Sequence, residues 1–220
     1  MIPRIKKGEN MDNKTTKTNV SEPKSVYNLT WTDKFEIDDI NNRRLYINTD
    51  IDECVIDSIV YHILRYNRED KGIKREDRTP IILYLNSPGG NVADGYGLID
   101  AITCSETPIY TVNLALCASM GFLIFLAGEK RFSMPRAEFL MHDGSTFAFD
   151  STAKMKDRME FVTGQLEEMT KKYILSRTSM DENLYDEKYR IEWYMLPDEA
   201  KKHGIVTNII GKDCSINEVL

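Results

Sequence analysis

Ser119, in the run Cys117-Ala118-Ser119-Met120-Gly121, and His142, which ends the apolar run Phe139-Leu140-Met141, are the side chains whose types and settings suit acyl transfer. A serine hydroxyl is a weak nucleophile at neutral pH. It needs a neighbouring base, a group that orients the base, and N–H donors aimed at the oxyanion that develops. The sequence has three histidines, His62, His142 and His203. His62 and His203 fall on charged or exposed faces of expected helices, so His142 is the base to consider. The loop Asn86-Ser87-Pro88-Gly89-Gly90 supplies two glycines whose backbone amides can approach a substrate without a side chain intervening. Each feature alone has a plainer explanation: Ser119 as a helix N-cap, His142 as a satisfied strand-edge residue, Pro-Gly-Gly as a tight turn. Together, at the carboxyl ends of expected strands, they describe one site.

Those strand ends follow from the hydrophobic pattern. Leu45, Tyr46 and Ile47 form a short expected strand, and Val55, Ile56, Ile59, Val60, Ile63 and Leu64 then recur at helical spacing. Ile82–Asn86 leads through the Gly-Gly turn into a helix carrying Tyr96, Ile99 and Ile102. Ile109–Leu114 leads likewise into an apolar segment, Ala118–Ala127, that has to be buried if helical. Repeated strand–helix units imply an α/β fold with a parallel sheet, whose ligands bind near the carboxyl ends of the strands. A helix is expected from Ser151 to Arg177, with Met155, Met159, Val162, Leu166, Met169 and Tyr173 spaced four, three, four, three, four as a heptad-like seam. Such a seam packs either on its own domain or on another subunit. A short helix over Pro197–His203, with proline in its first turn, then precedes a strand over Ile205–Ile210.

The bulk properties narrow the class. The 220 residues, 41% hydrophobic and 29% charged, suit one globular domain plus a tail. No run approaches the roughly eighteen apolar residues of a membrane span. The net charge of −6 leaves no cation excess for phosphates, which argues against nucleic acid as a partner. Cys54, Cys104, Cys117 and Cys214 show no metal-ligand spacing, and three of them read as small buried hydrophobes, favouring a reducing compartment such as the cytoplasm. Residues 1–28 are polar and without periodicity, which predicts a disordered tail. They lack the apolar core and cleavage site of a secretory signal. The expected globular domain spans residues 29–212, with a short tail over residues 213–220.

In order and spacing, NSPGG (86–90), ASMG (118–121), AGEKRFSMP (127–135) and MH (141–142) resemble the ClpP family, as do NRRLYI (42–47) and EWYMLPDEAKKHGIV (192–206). The resemblance covers about residues 44–210. It implies a ClpP/crotonase-like spiral of βαβ units, with the helix from Ser151 to Arg177 as a protruding handle. It also implies a serine endopeptidase with Ser119 as nucleophile, His142 as general base, and the amides of Gly90 and Met120 as oxyanion donors. The third member of the triad falls on Glu192, where the family usually has aspartate; Asp186 and Glu187 are nearby alternatives. Asp143-Gly144 replaces the family's usual Gln-Pro, and the amino-terminal segment has no counterpart in it.

The resemblance further implies heptameric rings stacked as a tetradecamer, peptide or unfolded-protein substrates, and an AAA+ unfoldase as partner. No metal or organic cofactor is expected in this chain, ATP being used only by the partner. Three rival readings share the scaffold: an acyl-CoA hydratase or isomerase of crotonase type, a catalytically silent ring subunit, and a capsid-maturation peptidase of phage type. The hydratase has no need of Ser119 and His142, and a silent subunit has no reason to keep both.

Overall fold

The structure, a computed structural model, describes residues 29–144 and 151–220. The tail expected over residues 1–28 lies outside the described residues. The chain divides into two compact units, Met1–Glu36 and Ile37–Leu220. The described part of the first carries the start of helix α1 (Trp31–Asn41), where Thr30 and Asp33 cap one another: each backbone N–H donates to the other's side chain, at 2.8 and 3.1 Å.

The second unit holds the sheet. Its parallel path runs β1 (Arg44–Ile47), β2 (Ile81–Ser87), β3 (Ile109–Ala118), β4 (Lys130–Ser133) and β7 (Asn208–Ile209). Strand β2 is buried at every position but Asn86, as a strand covered on both faces must be. The long β3 changes partner along its length. Tyr110–Asn113 pair with β4, whereas Leu116–Ala118 pair with β5 (Glu138–Met141), also in parallel. Strand β6 (Trp193–Met195) then adds to β5 antiparallel. The fork brings the ends of β3 and β5 side by side.

Helices α2 (Tyr61–Glu69), α3 (Val92–Thr103) and α4 (Met120–Ala127) complete the expected strand–helix repeat, α2 being preceded by a π-turn over Ile56–Val60. Asn91 caps α3, its Oδ1 accepting from the N–H groups of Ala93 and Asp94 at 2.8 and 3.2 Å. All eight residues of α4 are buried, so the apolar segment is a core helix as its composition requires.

The expected handle helix is continuous in direction but not in type. Helix α5 (Thr152–Phe161) and helix α6 (Glu167–Arg177) are joined by a π-turn over Val162–Leu166, in which the Glu167 N–H donates to the Val162 carbonyl. The extra residue breaks the expected four–three seam. Met159 and Met169 are exposed, and the inward positions of α6 are Thr170 and Ile174. Helix α5 buries no residue. Helix α7 (Glu182–Lys188) was not signalled by a long periodic pattern. Asp181 caps it and Tyr185 stacks on Tyr189 with ring centres 4.8 Å apart.

Beyond α8 (Pro197–Lys202), the apolar run Ile205–Ile210 yields only the two residues of β7. Ile205 and Val206 are buried ahead of the strand, so the run serves packing more than pairing. The cysteines also differ from expectation. Cys117 is buried, but Cys54 and Cys104 are exposed because they stand at helix ends, and Cys214 is half-buried. Residues 213–220 include a 3-10 turn, Ile216–Val219, whose Val219 packs on Ile82, Tyr84 and Phe132 across the second face of the sheet.

Candidate active site

Ser119 stands between the last residue of β3 and the first of α4, with φ 53° and ψ −121°. That left-handed φ is strained for a residue bearing a Cβ, at a cost of about 1–3 kcal/mol. The neighbours can hold it. Burial of Met120, Phe122, Leu123, Ile124, Phe125 and Leu126 contributes about 1.5–3 kcal/mol per large side chain, far more than the strain. A sharp strand-to-helix turn of this kind lifts a hydroxyl out of the sheet. Although Ser119 occupies the N-cap position of α4, its side chain makes no capping hydrogen bond. The N-cap explanation therefore does not account for the residue.

His142 is delivered by the fork in the sheet. Ala118 pairs with Leu140, the Ser119 N–H donates to the Leu140 carbonyl at 3.0 Å, and His142 follows two residues later. Ser119 and His142 line one open-mouthed cavity of about 780 Å3, the space at its mouth included. The His142 Nε2 atom is buried and has no hydrogen-bond partner among the described residues. A buried ring nitrogen without a partner is costly unless another group is to occupy that place. His62 and His203 lie elsewhere: His62 stacks on Tyr66, and His203 meets the Trp193 ring edge-on.

The glycine loop presses on the same turn. Gly89 has φ 106°, and a Cβ built on it falls 2.7 Å from the Ser119 Cβ and 3.0 Å from the Met120 nitrogen. Gly90, with φ 147°, bridges Ile51; a Cβ there falls 2.2 Å from the Ile51 carbonyl oxygen. The bridge uses the groups on either side, since Ile51 N–H donates to the Gly89 carbonyl and Asn91 N–H to the Ile51 carbonyl, each at 2.7 Å. It leaves the Gly90 N–H free. Neither that N–H nor the N–H of Met120 has an acceptor among the described residues. The Met120 N–H adjoins the strained serine and lines its cavity, whereas Gly90 is reached through Gly89 and does not itself line the cavity.

Glu192 is placed differently. Met141 pairs with Trp193 in antiparallel register, which sets the backbones of His142 and Glu192 opposite one another just past the ladder. The Glu192 side chain is exposed, however, does not line the cavity, and accepts from the Tyr194 hydroxyl at 3.5 Å. Asp186 pairs with Lys171 at 2.8 Å and Glu187 with Lys188 at 2.7 Å, both away from the cavity.

The rest of the cavity was not foreseen from sequence. Tyr96 and Tyr189 form part of it, together with Val162, Leu166 and Thr170 from the handle helix. The Tyr96 hydroxyl and Thr170 Oγ1 share a hydrogen bond of 2.6 Å, and Thr170 Oγ1 donates to the Leu166 carbonyl at 2.8 Å. The Tyr173 hydroxyl donates to the Leu123 carbonyl at 3.0 Å, and burial pushes its pKa well above the ordinary phenol value, so it stays a neutral donor. These bonds fasten the base of the handle to the wall of the cavity. The one sequence signal for that wall is spacing by fours through positions 158, 162, 166, 170 and 174, a period that a plain α-helix does not keep on one face.

Comparison with known proteins identifies relatives of the chain as a whole. The sequence profile described as Clp protease matches residues 32–213. Among curated relatives, the "ATP-dependent Clp protease proteolytic subunit 1" of Bacillus cereus is 28% identical over 181 residues, 79% of this chain and 87% of the relative. The protein of the same description from Frankia casuarinae is 28% identical over 171 residues, 77% of each chain. A solved structure of a ClpP1 mutant from Listeria monocytogenes superposes with a TM-score of 0.68 at 22% identity, covering 80% of this chain and 95% of that one. The α/β spiral with its handle helix is therefore the fold of that structure.

Proposed function

The chain belongs to the Clp protease family, and from that premise we propose that it is a serine endopeptidase acting through Ser119 and His142. One observation carries the reading: a strained, uncapped Ser119 shares a cavity with a His142 whose buried Nε2 has no partner among the described residues. In this reading Nε2 takes the Ser119 proton as Oγ attacks the scissile carbonyl. The Gly90 and Met120 N–H groups receive the oxyanion. His142 then gives the proton to the leaving amine, and the same imidazole activates the water that hydrolyses the acyl-enzyme. Glu192 is the third member, supported by the register that sets its backbone opposite His142. Its carboxylate has to turn from Tyr194 toward the imidazole to hold the tautomer. The chemistry needs no metal or organic cofactor.

The substrates are peptides or unfolded proteins, and the protein works as a homo-oligomer of two stacked heptameric rings. The exposed apolar side chains of the handle, Met159, Phe161 and Met169, support assembly through that helix. An AAA+ unfoldase that consumes ATP is the expected partner, as the names of the relatives suggest. The free cysteines suit a reducing compartment such as the cytoplasm.

The test is labelling of the purified protein with a serine-reactive fluorophosphonate and peptide mapping, with His142→Ala as control. Modification at Ser119 that is lost in the control is expected. A folded protein that stays unlabelled overturns the reading in favour of a silent ring subunit.

A further inference from the structure

The handle helix lines the Ser119 cavity with Arg158, Val162, Leu166, Thr170 and Ile174, four successive steps of four residues. A regular α-helix turns about 100° per residue, so each such step drifts by about 40° and Arg158 would end about 160° from Ile174, on the opposite face. The π-turn over Val162–Leu166 adds one residue and removes about 100° of that drift. The π-turn is what brings Arg158 round to the cavity.

Arg158 is also the outermost of the five. Its neighbours inward are apolar, and among the described residues no carboxylate pairs with it; its guanidinium lies over the Phe161 ring, 5.3 Å from the centre. Among the described residues the one acidic side chain lining the cavity, Glu167, stands nine residues further along the helix, about 13 Å along its axis. That separation exceeds the Debye length of about 8 Å at physiological salt, so the two charges address different parts of a bound chain.

Resting on the peptidase reading above, we propose that Arg158 is a specificity-determining residue: the π-turn holds its guanidinium at the rim of the cavity, where it selects peptides with a carboxylate side chain flanking an apolar residue. The apolar residue enters beside Val162 and Leu166, and the carboxylate stays at the rim, where an ion pair needs little desolvation. A guanidinium presents its N–H donors in a planar fork that matches a carboxylate, which suits this role.

The test uses the full-length Ser119→Ala protein and fluorescein-labelled peptides with one invariant leucine, in which a single Glu, Gln or Lys is walked through the flanking positions. Binding is read by anisotropy, so it does not depend on turnover. At one position Glu should bind about threefold tighter than Gln, and Lys about threefold weaker, with the difference fading in high salt. Adding Arg158→Glu should reverse the order. Lys156→Glu, the same charge change on a side chain that does not line the cavity, should leave it as it was. Deleting Gly164, which turns the π-turn into a plain α-turn, should abolish the preference.

An unchanged order in Arg158→Glu, or no charge preference at any position, overturns the proposal, as does a failure of every peptide to bind. Loss of hydrolysis or of fluorophosphonate labelling in the parent protein, with the charge preference intact, instead overturns the peptidase reading alone.

Discussion

The Ser119 N–H donates to the Leu140 carbonyl at 3.0 Å, which ties the strained serine to the strand that ends beside His142. The hydrogen bond is part of the ladder in which Ala118 pairs with Leu140, so the spacing of the proposed nucleophile and base is set by sheet register and not by a flexible loop. Displacing either strand end should therefore impair reactivity before it unfolds the protein.

Gly89→Ala applies such a displacement. The new methyl meets the Ser119 Cβ at 2.7 Å, in a backbone conformation that alanine disfavours. The expected cost is about 1–3 kcal/mol of stability together with a large loss of Ser119 labelling. Gly72→Ala is the control, with φ 91° but no heavy atom within 4 Å of the added carbon. It should lose stability alone. Equal labelling rates in the two variants would show that the glycine loop does not bear on the serine.

Glu192→Gln should lower peptide hydrolysis by at least about a hundredfold, since an amide cannot hold and stabilise the imidazolium as a carboxylate does. Tyr194→Phe removes the present partner of that carboxylate and should leave hydrolysis within about twofold, because the bond is long and exposed. Full activity in Glu192→Gln would pass the role to another group.

Thr170→Val leaves the Tyr96 hydroxyl without its 2.6 Å partner in a half-buried wall. Urea denaturation should show a loss of about 1–3 kcal/mol. Since Thr170 also ties Tyr96 to the handle, labelling of Ser119 should slow in the same variant. A neutral result in both measurements would mean that water replaces the hydroxyl without consequence.

Stability should fall in acid through Asp70. The side chain is buried; Arg43 donates to both its oxygens at 2.6 Å and Thr107 Oγ1 donates at 2.7 Å. The Arg43 hydrogen bonds, opposed by burial, hold its carboxyl below the usual carboxylate range. A folded value below the unfolded value of about 3.9 means that the unfolded chain takes up the proton first as the pH drops. The stabilisation is complete above that unfolded value and is lost as the pH falls through the folded one. Melting temperatures from neutral to about pH 2 should show a shallower acid limb in Asp70→Asn than in the parent protein. Parallel limbs would assign acid sensitivity to other carboxylates.

The two central strand–turn–helix units, Ile82 through Ile102 and Ile109 through Ala127, were legible in the sequence because their buried strands and helix faces need apolar residues at fixed spacing. The same units carry the glycine loop and Ser119, so half of the candidate site could be read with them. His142 was legible only as the end of an apolar run. That it comes beside Ser119 depends on β3 leaving β4 for β5 partway along, and no local pattern encodes a change of partner.

The handle shows where local reading stops. Its length and helicity follow from propensity, and its four–three spacing of apolar residues predicts a seam on one face. The structure instead inserts a π-turn, turns Met169 outward and sends Thr170 and Ile174 inward. A π-turn gives up good local hydrogen-bond geometry, and what favours it here is the packing of α6 against α4, with Tyr96 bonding Thr170 and Tyr173 bonding Leu123.

The sequence by itself therefore determined strands β1 to β3 and the helices that follow them, the buried α4 among them, and which residues have the chemistry for acyl transfer, because each depends on residues near one another in the chain. Tertiary structure alone decided that His142, whose buried Nε2 has no partner among the described residues, shares a cavity with Ser119, where Glu192 points, and which face of the handle meets that cavity. Those outcomes rest on strand register and helix phase: a shift of one residue moves every side chain of a strand to its other face, and turns every side chain of a helix by about 100°.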